Sequence, residues 1–259
     1  MGIIYKSVVQ GLENYVVKPL NTIKNVSYQN FVKAEALRLA DRFKESVKYY
    51  LSAILANRND FRSYLGLGIS YKAESQYSKA INVLEKAREL ASFDPQVHYE
   101  LGLCYLIEAR FCEAIKSFHQ AIAIDKTNLN AQIQLAVAHE FVEEYDMAIL
   151  IYHTIIENNP EFLVAYNHLS ALYMNLGEYK SAGTVFSQIL KVNPDSHKAY
   201  LGLAICHDKI SNTARALHYY KAFLDKKPHS HHSDRIRKRI EKLHDLKSQN
   251  TQERNFAVV

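Results

Sequence analysis

The sequence predicts an all-α solenoid: six tandem helix–turn–helix units of 34 residues, with a further helix on each flank. The first observation behind this is a strict internal period. Small residues recur at Ala34, Gly68, Gly102, Ala136, Ser170 and Ala204, and a second small series runs Ser46, Ala80, Ala114, Ala148, Ala182 and Ala216. Every step is 34 residues, and the two series keep constant phase. Self-similarity of this length is the mark of stacked supersecondary units that bury their apolar faces against one another. The second observation is compositional. Only 8 Gly and 5 Pro among 259 residues are too few turn residues for an all-β chain, whereas helices joined by short connections need no more.

In residues 1–26, Ile4, Val8, Leu12, Val16 and Leu20 stand four apart, the spacing of an amphipathic helix interrupted or restarted near Pro19. The six units then occupy 27–60, 61–94, 95–128, 129–162, 163–196 and 197–230 without insertion or deletion. In 163–196, apolar residues fall three and four apart in two blocks, Tyr166 to Leu176 and Tyr179 to Val192, separated by a tight turn at Gly177. Ser170 and Ala182 are small where the paired backbones must approach closely. A large residue recurs on the second helix at Tyr50, Leu84, Phe118, Tyr152, Phe186 and Tyr220. Pro160, Pro194 and Pro228 end the second helices of three units, and Arg58, Ser92 and Lys126 replace that proline in the first three. Over 231–248, Ser233 is placed to N-cap a closing helix. Ile236, Ile240, Leu243 and Leu246 form its apolar stripe, and Arg235, Arg237, Lys238, Arg239 and Lys242 give it a basic surface. Residues 249–259 read as a disordered tail.

The repeated pattern resembles the tetratricopeptide repeat family. Tyr64, Leu67-Gly68, Tyr71, Tyr77, Ala80 and Ala87 fit its consensus, as do Leu101-Gly102, Tyr105, Phe111, Ala114, Phe118 and Ala121. The first unit departs most, with Asn30, Lys33 and Ser46 at its consensus positions. The resemblance implies a right-handed α-solenoid whose first helices line a concave groove, the family's usual ligand surface. The groove residues it implies here are Leu65, Ile69, Tyr99, Leu103, Leu106, Ile133, Val137, Phe141, Asn167, Ala171 and Met174. Their apolar character suits a partner peptide or helix, so the implied function is a non-catalytic protein-interaction scaffold or adaptor. Two family specialisations are absent. The positions of a carboxylate clamp hold Phe31, Leu65, Ile69, Tyr99, Leu103, Ile133 and Val137. Those of an asparagine ladder hold Val32, Gly66, Glu100, Gln134, His168 and Gly202.

The register also disarms residues that look like chemistry. Cys104 and Cys206 share a position filled elsewhere by Ser70, Ala138 and Leu172, which reads as a buried small hydrophobe; Cys112 falls just past a turn and should be exposed. His139 and His207 replace a recurrent tyrosine. His119 and His153 share a position expected on the outer surface. His229, His231 and His232 cluster without a carboxylate or cysteine at metal-ligand spacing. With no Gly-rich phosphate loop or nucleophile motif either, we expect no catalytic residues, cofactor or metal. Neither a secretion signal nor a membrane span is apparent, and three cysteines, an odd number without CxxC spacing, suit a reducing, cytoplasmic setting.

Two alternatives stay open. The net charge of +5 resides in the segment from Lys226 to Lys247, so the basic helix could contact nucleic acid or anionic membrane. The N-terminal helix could instead tether an assembly factor to a membrane. Self-association through the apolar groove is compatible with any of these.

Overall fold

The computed structural model describes the backbone of residues 26–256 and side chains as far as residue 245. The expected N-terminal helix therefore lies, Val26 aside, outside the described residues, as does Leu246 of the closing stripe. Among the described residues there are thirteen α-helices and no strand. They are α1 (Val26–Leu39), α2 (Phe43–Ala56), α3 (Phe61–Ala73), α4 (Tyr77–Leu90), α5 (Pro95–Ile107), α6 (Phe111–Ile124) and α7 (Leu129–Phe141). There follow α8 (Tyr145–Asn158), α9 (Leu163–Asn175), α10 (Tyr179–Val192), α11 (His197–Lys209), α12 (Thr213–Lys226) and α13 (Ser233–Phe256). The chain forms two compact units, residues up to Ala148 and residues from Ile149 on, and each is described by itself.

Close packing explains the period. All six members of the second small series, from Ser46 to Ala216, are fully buried. A Cβ built on Gly68 collides with Leu84, and one on Gly102 falls 2.5 Å from Phe118 Cε1, so the large residue of each second helix fills the space that the small residue opens. The same large residue also meets the next first helix: Tyr50 covers Gly66 in the first unit, and Phe186 covers Gly202 in the second.

Each hairpin turns through one residue of positive φ, at Asp41, Ser75, Ala109, Glu143, Gly177 and Ser211. Around Ala109 the Arg110 amide donates to the Tyr105 carbonyl at 2.8 Å and the Ala109 amide to the Leu106 carbonyl at 3.1 Å, the paired bonds of a Schellman motif. The turn expected at Gly177 is thus one of six alike. Second helices end at equivalent residues with or without a following proline: Ala56, Leu90 and Ile124 as well as Asn158, Val192 and Lys226. Asp94, Asn128 and Ser196, equivalent positions in three units, cap the next helix by accepting from its first-turn amides.

Two expectations for the C-terminus are corrected. Helix α13 continues to Phe256, so residues 249–256 belong to it and not to a disordered tail. "SQNTQERNF" contains no Gly or Pro to stop a helix, and Gln, Glu and Arg propagate one. Ser233 starts α13 but is not its cap. Its hydroxyl donates to the Lys227 carbonyl at 2.9 Å and meets the Ser230 hydroxyl, tying the preceding loop down.

Candidate functional site

In the first compact unit the first helices are α1, α3, α5 and α7, and α5 lies in contact with both α3 and α7. Leu65 and Ile69 on α3, Tyr99, Leu103 and Leu106 on α5, and Val137 on α7 are all half-exposed. Each helix shows this apolar face because residues three and four apart return to the same side. Ile133 departs from the expectation: it is only 3% exposed and belongs to the core. It occupies the position equivalent to Leu65 and Tyr99, which are half-exposed, so its enclosure comes from its neighbours and not from the register.

Phe141 is 57% exposed and stands four residues after Val137, on the same face. It ends α7, and its ring stacks on that of Phe111 at 5.1 Å and 5° between planes, which anchors it at the turn end of the helices. Ile107, 53% exposed at the end of α5, extends Leu103 in the same way. It was missed in the sequence although its signal was present, since it lies one period before Phe141.

One charged pair crosses this surface. Lys72 Nζ lies 2.5 Å from Glu100 Oε2, joining α3 to α5, and Gln96 Nε2 donates to Glu100 Oε1 at 2.7 Å. The carboxylate is nearly buried, and pairing with Lys72 leaves no net charge beneath the apolar residues. Cys104 lies nearby in the core. Burial pushes its thiol up to about 12, well away from a reactive thiolate, whereas Cys112 is exposed. His139 is buried, with Nδ1 2.6 Å from Glu144 Oε2, and the His119 ring packs against it edge-on at 6.3 Å. His119 remains exposed.

The second compact unit presents a different surface. Asn167 and Ala171 on α9 are exposed and Met174 is half-buried, its sulfur 3.4 Å from that of Cys206 on α11. His153 is half-buried on α8, where it meets the Tyr173 hydroxyl at 3.3 Å.

Helix α13 closes this unit by placing Ile236 and Leu243 in a cluster with Ala216, Leu217, Tyr220 and Phe223, with Ile240 packed against it. Its five cations divide by role. Arg239 makes two hydrogen bonds to Asp208 on α11, at 2.7 and 2.6 Å, while the Tyr220 hydroxyl donates to the same carboxylate at 3.0 Å. Burial alone would raise the Asp208 carboxyl, but the Arg239 and Tyr220 bonds hold it below its ordinary value. Arg237 pairs with Asp234 and donates to the Pro228 carbonyl. Arg235, Lys238 and Lys242 remain on the outer face. The basic surface is therefore in part the latch that fastens α13.

Among the described residues no helix is long and apolar enough to cross a membrane, and no group of three or more His, Cys, Asp or Glu could hold a metal ion.

Paired helices in strict 34-residue phase, small against large at each crossing, define a tetratricopeptide-repeat protein, an all-α solenoid. The family described as Intraflagellar transport protein 56 matches residues 64–253, and the chain belongs to that family. No curated protein sequence matches it. Among solved structures it is similar to MamA, with 24% identity over 64% of this chain and 96% of MamA, at a TM-score of 0.58. It is also similar to YrrB, described as a TPR protein with an unusual peptide-binding site, with 20% identity over 73% of this chain and 97% of YrrB, at a TM-score of 0.57. The C-terminal part of a TPR repeat-containing protein from Cytophaga hutchinsonii shares 18% identity over 76% of this chain and 78% of its own, at a TM-score of 0.69. At these identities the three structures support the fold alone.

Proposed function

We propose that the chain is a non-catalytic adaptor that holds a partner peptide or helix against the apolar strip of its first compact unit. The observation carrying this reading is the row Leu65, Ile69, Tyr99, Leu103, Leu106, Ile107, Val137 and Phe141, left half-exposed or exposed on three successive first helices. A contiguous strip of this kind marks an interaction surface in a soluble protein. Neutralisation of Glu100 by Lys72 favours an apolar ligand face over a charged one. Membership of a family named for intraflagellar transport, and the peptide-binding site in YrrB's description, support an assembly role in place of chemistry. Three cysteines, an odd number without CxxC spacing, support a reducing, cytoplasmic setting.

The experiment is affinity capture with Leu103→Glu combined with Val137→Glu, bound proteins being identified by mass spectrometry. Loss of specific partners with helical circular dichroism retained is the expected result. Capture of the same partners at wild-type level by the folded double variant refutes the reading.

A further inference from the structure

Helix α13 keeps the repeat register. Arg235, Arg239 and Lys242 follow Leu65, Ile69 and Lys72 by five periods of 34, so they stand at positions that elsewhere form the first-helix face. The packing agrees. Ile236 and Ile240, at the positions of Gly66 and Ser70, turn toward α12, as Gly66 and Ser70 turn toward Tyr50 and Ser46 on α2. Arg239 crosses to Asp208, which holds on α11 the position of Leu106 and Met174. The first-helix face of the second compact unit thus runs from α11 onto α13.

On that face the charges do not balance. Asp208 is the one acid on α9 or α11. Lys209 and Arg239 both act on its carboxylate, and Arg235 and Arg239 both act on the Tyr220 hydroxyl that donates to it. Both carboxylate oxygens are taken by Arg239. Lys209, Arg235 and Lys242 are left exposed and, among the described residues, in no ion pair. The acids of α13 do not answer them. Asp234 pairs with Arg237. At about 100° per residue, Asp234, Glu241 and Asp245 all stand about 120° or more from Arg239, whereas Arg235 and Lys242 stand within about 60° of it. Leu201 and Ile205, at the positions of Leu65 and Ile69, are half-exposed and lead along α11 to Lys209 on the same side.

We propose that this face binds a short acidic segment of a protein partner, its carboxylates on Lys209, Arg235 and Lys242 and an apolar residue of the segment against Leu201 and Ile205. Charge complementarity names the ligand, since three unpaired cations surround an acid that is already neutralised. Arg235 and Lys242 lie seven residues apart, about 10 Å along the helix, which an extended peptide crosses in about three residues. A polynucleotide fits less well. Three cations are fewer than the ~6–10 phosphates such a site engages. No Phe, Tyr or Trp between Ser233 and Asp245 offers a platform for bases, and the three acids of α13 repel a polyanion laid along it. The inference concerns the second compact unit and stands apart from the apolar strip of the first.

The test is fluorescence polarisation with the full chain and a fluorescein-labelled peptide, Glu-Glu-Leu-Glu-Glu. The peptide is expected to bind, more weakly as salt is raised, and its counterpart with glutamine in place of glutamate is not. Lys209→Gln with Arg235→Gln and Lys242→Gln should weaken binding roughly tenfold or more, whereas Lys209→Arg with Arg235→Lys and Lys242→Arg should retain it. Taking the same number of charges from the first compact unit, by Lys44→Gln with Lys48→Gln and Lys116→Gln, should leave binding unchanged, which separates this face from net charge. Circular dichroism checks that each variant is folded. No binding of the acidic peptide by the wild-type chain overturns the proposal, as does wild-type affinity in the Lys209, Arg235 and Lys242 glutamine variant. Binding of oligothymidine or of phosphatidylserine vesicles in preference to the peptide, lost in that same variant, assigns the face to nucleic acid or to a membrane and overturns it as well.

Discussion

The six hairpin turns set up an internal experiment on backbone strain. Ala109 has φ of 57° and Gly177 has φ of 76°, at equivalent positions of two Schellman motifs. A residue with a Cβ loses about 1–2 kcal/mol in the left-handed region, from the approach of Cβ to the carbonyl oxygen. Glycine escapes that loss but gives back ~0.5–1 kcal/mol through the greater freedom of the unfolded chain. Ala109→Gly is therefore expected to stabilise the fold by about 0.5–1 kcal/mol. Gly177→Ala is expected to destabilise it by a similar amount. No atom lies within 4 Å of a Cβ built at Gly177, so steric collision adds nothing and the effect is conformational. In a chain of this size the shifts in melting midpoint are about 2–3 °C in opposite directions, measurable by calorimetry or circular dichroism at 222 nm. Because the sites are 68 residues apart in sequence and belong to different compact units, the double variant should return close to wild type. If Ala109→Gly lowers the midpoint, as glycine does inside a helix, or Gly177→Ala leaves it unchanged, the reasoning fails.

Three further outcomes follow from the packing. Gly102→Ala places a methyl 2.5 Å from a Phe118 ring that is fully buried, so it should cost about 1–3 kcal/mol, and Phe118→Leu in the same chain should recover part of this in denaturant titration. Arg239→Gln should destabilise the second compact unit by about 1 kcal/mol near neutral pH, a discounted figure because Arg239 is 42% exposed. Asp208 has a folded pKa below its unfolded one, so its contribution is present above ~4 and is lost as pH falls through the folded value. Wild type and Arg239→Gln should consequently converge in acid titrations. Under native conditions a thiol reagent should modify Cys112 alone. Burial pushes Cys104 up to about 12 and Cys206 up to about 11, and both should react only after unfolding, as followed by mass spectrometry.

What could be read from the residues follows from what a period encodes. A strict repeat reports every contact made in the same way by every unit, and so the small-against-large crossings, the placement of Cys104 in the core and the apolar stripe of α13 were legible before any coordinates. It would also have revealed all six turns, had the tight turn read at Gly177 been carried to Ala109 and its equivalents. The period is silent on features that break it. Lys72 and Glu100 meet at 2.5 Å although 28 residues separate them, so no recurrence announces the pair. The Arg239 to Asp208 latch depends on a helix that follows the last repeat. Exposure within a shared position is likewise decided by neighbours: Tyr99 reaches the surface where Ile133, one period on, is enclosed.

The same distinction bears on partner recognition. Conserved spacing builds the helices, but the surface offered to a ligand consists of the residues on which the units differ. Leu103, Val137 and Ala171 share one position, as do Ile107, Phe141 and Asn175. The first two of each set are apolar and lie in the first compact unit, whereas Ala171 and Asn175 in the second offer little or no apolar surface. On the proposed reading specificity belongs to α5 and α7, and transplanting Leu103 and Ile107 to Ala171 and Asn175 should create a second capture surface without altering the repeat. Pull-down by that variant with the first strip inactivated by Leu103→Glu and Val137→Glu would measure it. Failure to regain any of the lost partners would show that recognition needs the joint geometry of α3, α5 and α7, and not apolar residues at those positions alone.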